Sequence, residues 1–149
     1  MKILFLDFDG VLNVLSTDYD KFGAIFHLHF VNNLKQIIDK TNAKIVISSS
    51  WRTDGLKTMQ YMWQYRKLHG EVIDVTPYLA NKRGYEIQQW IDKHQIEKYC
   101  IVDDDTDMLN NQLNNFVCTA NNPDHPDCID IGYGLTNICT QKAIEILNR

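Results

Sequence analysis

Asp7 and Asp9 stand with one residue between them in KILFLDFDGVLN, Lys2 to Asn13, directly behind a run of large apolar residues. Asp103, Asp104 and Asp105 stand behind a second such run, in KYCIVDDD. Carboxylates crowded at one place repel each other and raise each other's pKa unless a cation sits among them. A hard divalent ion takes oxygen ligands, and Mg2+ accepts one or two carboxylates together with water and substrate phosphate. Read alone, either cluster also fits plain turn chemistry, which favours Asp and Gly. Two clusters, each behind an apolar run, favour the metal. A helix-loop-helix calcium loop fits worse, because Gly10 is misplaced and Asp18 stands where a bidentate Glu belongs.

The elements that must position these groups alternate between short apolar runs and longer segments of helical period, which predicts an α/β fold with a mainly parallel sheet. Lys2 to Leu6, Ala43 to Ser50, the run EVIDV at Glu71 to Val75, Tyr99 to Val102, and NFVCTA are the expected strands. Val31, Leu34, Ile37 and Ile38 share one face of a helix, and Ile87, Trp90 and Ile91 mark another that begins near Gly84. Thr136 is placed to cap a last helix with Ile138, Ala143, Ile144 and Leu147 on its apolar face. Asn121 to Gly134, rich in Asn, Pro, Asp and Gly, reads as a long loop. In open parallel sheets the carboxyl ends of the strands line the ligand crevice, so both acidic clusters are expected to meet there.

The 149 residues, 44% hydrophobic, suffice for one core and read as a single domain spanning 1–149. A formal net charge of -4 does not favour extensive, sequence-independent binding along a nucleic-acid backbone, although contact with a phosphorylated end remains compatible with it. Cys100, Cys118, Cys128 and Cys139 form no C-x-x-C pair, which predicts reduced thiols in a cytoplasmic protein. Asp7 interrupts the first apolar run too early for a signal peptide, and no stretch approaches the roughly 18 residues of a membrane span. His27 and His29 read as packing, and Cys128 near His125 is rejected as a nucleophile pair.

DFDGVLN resembles the first motif of the haloacid dehalogenase superfamily, and IVISSSWR, NKRGYEI and CIVDDD resemble its second, third and fourth motifs in order, over about residues 2 to 107. The resemblance implies a Rossmann-like three-layer α/β/α sandwich with about five central strands, and a Mg2+-dependent phosphohydrolase working through an aspartyl-phosphate. It makes Asp7 the nucleophile and Asp9 the acid that protonates the leaving oxygen and later activates water. The metal would be held by the Asp7 side chain, the Asp9 carbonyl and Asp103, with Asp104 close by or acting through water. Ser48, the first residue after the apolar run, is the expected phosphate-binding hydroxyl, ahead of Ser49 and Ser50. Arg83 is the expected cation of the third motif, with Lys82 as its rival, and Arg52 is a candidate bidentate clamp on phosphate. Trp51 reads as packing or as a stacking surface, and Lys57, Arg66, Lys67 and His69 as the solvated face of a helix.

Neither Val14 to Asn42 nor the stretch from Arg52 to Lys82 leaves room for an inserted cap domain, so the site is expected to be open to a large substrate. SSSWR, the Thr76-Pro77 pair ahead of RGYEI, the triple Asp and a late GLT are similar to a capless branch found in RNA-repair proteins, which points to phosphorylated RNA or DNA ends. The loop before GLT is a departure from that pattern. A small-molecule or phosphoprotein phosphatase, a phosphoacceptor signalling domain and a non-catalytic binding module are the alternatives.

Overall fold

The computed structural model describes residues 1–120 and 133–149. The run KILFL forms β1 (Lys2–Leu6), buried from Ile3 onward. Leu4 and Leu6 enter one core cluster while Ile3 and Phe5 enter another, the two-residue period of a strand covered on both faces. After β1 come a short hairpin, β2 (Tyr19–Asp20) and β3 (Gly23–Ala24), then α1 (Leu28–Thr41) and β4 (Lys44–Ile47). A 3-10 turn at Ser50–Asp54 leads into α2 (Leu56–Tyr65), β5 (Val72–Val75), α3 (Arg83–Asp92) and β6 (Lys98–Asp103). A second 3-10 turn, Asn110–Asn115, precedes β7 (Phe116–Cys118), and α4 (Asn137–Asn148) follows the undescribed residues.

Five strands pair in the order β5-β4-β1-β6-β7, parallel throughout. On one face Leu34 and Ile37 of α1, Met59 and Met62 of α2, and Ala143 and Leu147 of α4 pack on Leu4, Ile45 and Val102. On the other, Ile87 and Trp90 of α3 pack on Phe5, Val46 and Ile101. The result is the expected Rossmann-like three-layer sandwich. Between β1 and β4 lie the hairpin and α1, and between β4 and β5 lie the 3-10 turn and α2, so neither segment forms a folded cap. No described helix is long and apolar enough to cross a membrane.

Several local expectations are corrected. The strand expected over Ala43 to Ser50 is only Lys44–Ile47: the Ser48 amide makes a last bond to the Leu6 carbonyl at 3.0 Å, after which the Arg52 amide bonds the Ser49 carbonyl and bends the chain. Thr136 does cap α4, accepting from the Cys139 amide, but Ile138 is 54% exposed, and the buried face is Cys139, Ala143, Ile144, Ile146 and Leu147. The reason is helical phase, since adjacent residues point about 100° apart and burial of Cys139 turns Ile138 outward. The hairpin was not expected, because two-residue strands are too short to carry a period. Cys100 is a free, buried thiol and Cys139 is buried with its Sγ on the Cys118 carbonyl, whereas Cys118 is disulfide-bonded, which overturns the reading of four reduced thiols. Most of the expected loop, with Cys128 and His125, lies outside the described residues, but the chain returns at Gly134 and Leu135, whose amides bond the carbonyls of Thr119 at 3.0 Å and Val11 at 2.8 Å.

Candidate active site

Parallel pairing sets Leu6 of β1 opposite Ile47 of β4 and Val102 of β6, so the residues directly after these three emerge side by side. They are Asp7, Ser48 and Asp103, and the Asp7 amide bonds the Val102 carbonyl at 3.1 Å. Asp104 completes the group. One carboxylate oxygen from each of Asp7, Asp103 and Asp104 lies within 4.8 Å of the others. Gly10 lets the first loop fold this closely over the cluster: its φ is +80°, and a Cβ there would stand 2.2 Å from Oδ2 of Asp104. Thr119 holds the same loop from beneath through an Oγ1 hydrogen bond to the Gly10 carbonyl at 2.8 Å.

Asp7 and Asp103 are both buried. Burial, with the Asp103 charge beside it, holds the Asp7 carboxyl well above the usual carboxylate range, and burial raises Asp103 as well. Arg83, the first residue of α3, offsets part of this charge. Its NH1 group contacts Oδ1 of Asp7 at 3.0 Å and Oδ2 of Asp103 at 2.6 Å. Burial disfavours the Arg83 cation, but Asp103 and Asp7 outweigh it and hold its pKa above the usual value. One guanidinium among three carboxylates leaves the cluster negative, and an all-oxygen donor set of this kind suits a hard divalent ion. The Ser48 hydroxyl, fully buried, has no hydrogen-bond partner among the described residues. A buried polar group without a partner costs about 1–3 kcal/mol, which leaves a donor in reserve at the edge of the cluster.

The model of the family described as the HAD domain in Swiss Army Knife RNA repair proteins matches residues 3–122. The chain belongs to this family. Comparison with curated proteins and comparison with solved structures find no match. Membership supports a hydrolase of the phosphohydrolase kind, and the acidic cluster at the strand ends of this HAD domain is able to hold an ion.

The remaining expected residues of this HAD domain are distributed less simply. Asp9 is exposed, its Oδ1 accepting from Asn13 Nδ2 at 2.9 Å and its Oδ2 from the Trp51 indole N–H at 3.0 Å. Lys82 is exposed at the N-cap of α3, while Arg83 reaches the carboxylates. Ser49 is buried and accepts from the Trp51 amide at the start of the 3-10 turn. The clamp expected of Arg52 finds no free donor, which corrects that reading. Its Nε bonds the Thr76 carbonyl, NH1 bonds those of Ser48 and Ser49, and NH2 bonds the Pro77 carbonyl and the Glu86 carboxylate at 2.8 Å. All five N–H groups are thereby engaged. Arg66 is likewise no solvated residue but a bidentate partner of Asp20; Lys57 is exposed on α2 as expected, while Lys67 and His69 are exposed but lie beyond the end of that helix.

Sequence reasoning missed four residues. Glu86 sits inside the third motif, where a buried Glu beside a buried Arg was a signal available in RGYEI and SSSWR taken together. Asn13 is four residues from Asp9, within reach in a tight loop. Trp51 as an indole donor and Tyr133, whose hydroxyl donates to Oδ2 of Asp104 at 3.0 Å, have no local signal.

Proposed function

We propose that this protein is a Mg2+-dependent phosphatase that hydrolyses a terminal phosphate through an aspartyl-phosphate on Asp7, acting as one hydrolase domain. The convergence of Asp7, Asp103 and Asp104 with Arg83 and the unpartnered Ser48 hydroxyl carries this reading. Asp7 attacks phosphorus in line with the leaving oxygen, and Asp9 gives that oxygen a proton. Asp9 then takes a proton from water, which attacks the acyl phosphate, releases inorganic phosphate and restores Asp7. Mg2+, held by Asp7, Asp103, Asp104 and the Asp9 carbonyl, would neutralise charge between the nucleophile and the phosphoryl oxygens. Ser48 donates its hydroxyl hydrogen to a phosphoryl oxygen. Arg83, held through NH1 on Asp7 and Asp103, donates to the same group.

Phosphorylated RNA or DNA ends are the substrate class we favour. The family is named for RNA repair proteins, and no folded cap stands over the site among the described residues. It opens into a cleft of about 540 Å³ lined by Asp9, Asn13, Leu15 and Tyr133, and a smaller one of about 250 Å³ lined by Ser50, Tyr78, Asn81 and Arg83. The test is phosphate release from an aryl phosphate, mononucleotides, 5′- and 3′-phosphorylated oligonucleotides and phosphopeptides, with and without Mg2+. The expected outcome is Mg2+-dependent release, fastest from oligonucleotides and abolished in Asp7→Asn. Turnover that survives Asp7→Asn, or a stable phospho-form without turnover, overturns the reading.

A further inference from the structure

Asp9 presents a chemical difficulty. A group that must deliver a proton in one direction and later take one from the same region needs a fixed carboxyl plane, yet Asp9 lies on an exposed loop where water competes for both oxygens. Two side chains meet this need, one on each oxygen. Asn13 comes from the same loop, but Trp51 comes from the 3-10 turn behind the neighbouring strand β4, 42 residues on.

The Trp51 indole is itself held on several sides. Its ring stands edge-on to Phe8 at 5.3 Å between centroids and tilts against Phe26 at 5.7 Å. The Arg66 guanidinium carbon lies 5.6 Å from the same ring, and Arg66 is tied to Asp20 and to the Gly23 carbonyl. At Gly23, whose φ is +129°, a Cβ would come within 3.0 Å of Trp51 Cη2, so the β2–β3 turn closes directly over the ring. The N–H of a half-buried indole needs an acceptor, and at Trp51 that acceptor is a carboxylate oxygen of Asp9. Here the packing fixes the ring and the N–H fixes Asp9.

We infer that Trp51 is a positioning residue for acid–base catalysis, holding the Asp9 carboxyl plane through its indole N–H so that the proton of Asp9 is delivered to the leaving oxygen. Each carboxylate oxygen has two lone-pair directions, so one donor on each leaves the other direction for the proton. The inference rests on the phosphatase reading above. It also extends the second motif, whose serine contacts phosphate, to the leaving group.

The test compares kcat/KM for p-nitrophenyl phosphate, whose leaving group needs no proton, with kcat/KM for an alkyl phosphate, whose leaving group does. This ratio reports phosphoryl transfer to Asp7 and is insensitive to later hydrolysis. In Trp51→Phe, kcat/KM for the alkyl phosphate is expected to fall on the order of tenfold or more, and that for p-nitrophenyl phosphate by less than about threefold. In an Asp9→Ala background the same substitution is expected to add no further loss on the alkyl phosphate, since the group it positions is gone. Equal losses on the two substrates, or losses that add to those of Asp9→Ala, overturn the inference and make Trp51 structural. Should Trp51→Phe fail to fold, benzothienylalanine at position 51 keeps the ring shape without the N–H and carries the same expectation. Wild-type protein that turns over neither of these substrates nor a phosphorylated oligonucleotide would overturn the phosphatase reading, and the positioning role with it. Wild-type turnover of both with an unchanged ratio in the variants overturns the positioning role alone.

Discussion

Ser48 separates stability from chemistry at a single atom. Its hydroxyl is buried without a partner, so the folded state carries a desolvation cost that only a ligand relieves. Ser48→Ala is therefore expected to leave thermal stability unchanged or raise it by about 1 kcal/mol, about 2–4 °C for a chain of this size, while lowering kcat/KM by roughly a hundredfold. Thermal denaturation and phosphate release on the same preparation check both halves, and a variant that loses stability and keeps activity contradicts the role. Three successive serines made this position ambiguous from sequence. The ladder bond from the Ser48 amide to Leu6 places Ser48 beside Asp7 and leaves Ser49 and Ser50 to start the 3-10 turn. At the start of α3, Lys82 is exposed and Arg83 turns toward the carboxylates.

At the scale of elements, Arg52 is the tie among β4, β5 and α3. It bonds carbonyls at Ser48, Ser49, Thr76 and Pro77 and pairs with Glu86, whose other oxygen accepts from the Leu79 amide at 2.7 Å. The two side chains are 2% and 5% exposed, so removing either leaves the other charged and unpaired in the interior. Arg52→Met or Glu86→Leu is expected to cost about 3–5 kcal/mol, and the double substitution less than the sum of the two. Urea unfolding of the three variants and the wild type measures this, and additive losses would show that the pair is not coupled. The motif was legible in SSSWR, but a phosphate clamp and a structural tie use the same residue type. Only the partners distinguish them, and they lie 24 and 25 residues away for Thr76 and Pro77.

For the whole molecule, the sheet order concentrates charge at one edge, where Asp7, Asp103 and Asp104 gather from strands far apart in sequence. A divalent ion that binds there only in the folded state stabilises the fold by mass action, by about 2.7 kcal/mol at a hundred times its Kd. Added Mg2+ is expected to raise the melting temperature, EDTA to reverse the rise, and Asp104→Asn to abolish most of it. A melting temperature insensitive to Mg2+ would argue against a metal at this cluster. The sequence by itself determined the α/β class, four of the five sheet strands to within a residue or two at each end, and the two acidic clusters, because apolar period and the residues directly behind each run are local properties of the chain. The tertiary structure decided the partners: the Trp51 indole on Asp9, Arg66 on Asp20 at 46 residues' separation, Glu86 on Arg52 and Tyr133 on Asp104. Long-range hydrogen bonds depend on which strand ends the parallel sheet sets side by side, and that ordering leaves no mark in the spacing of any one segment.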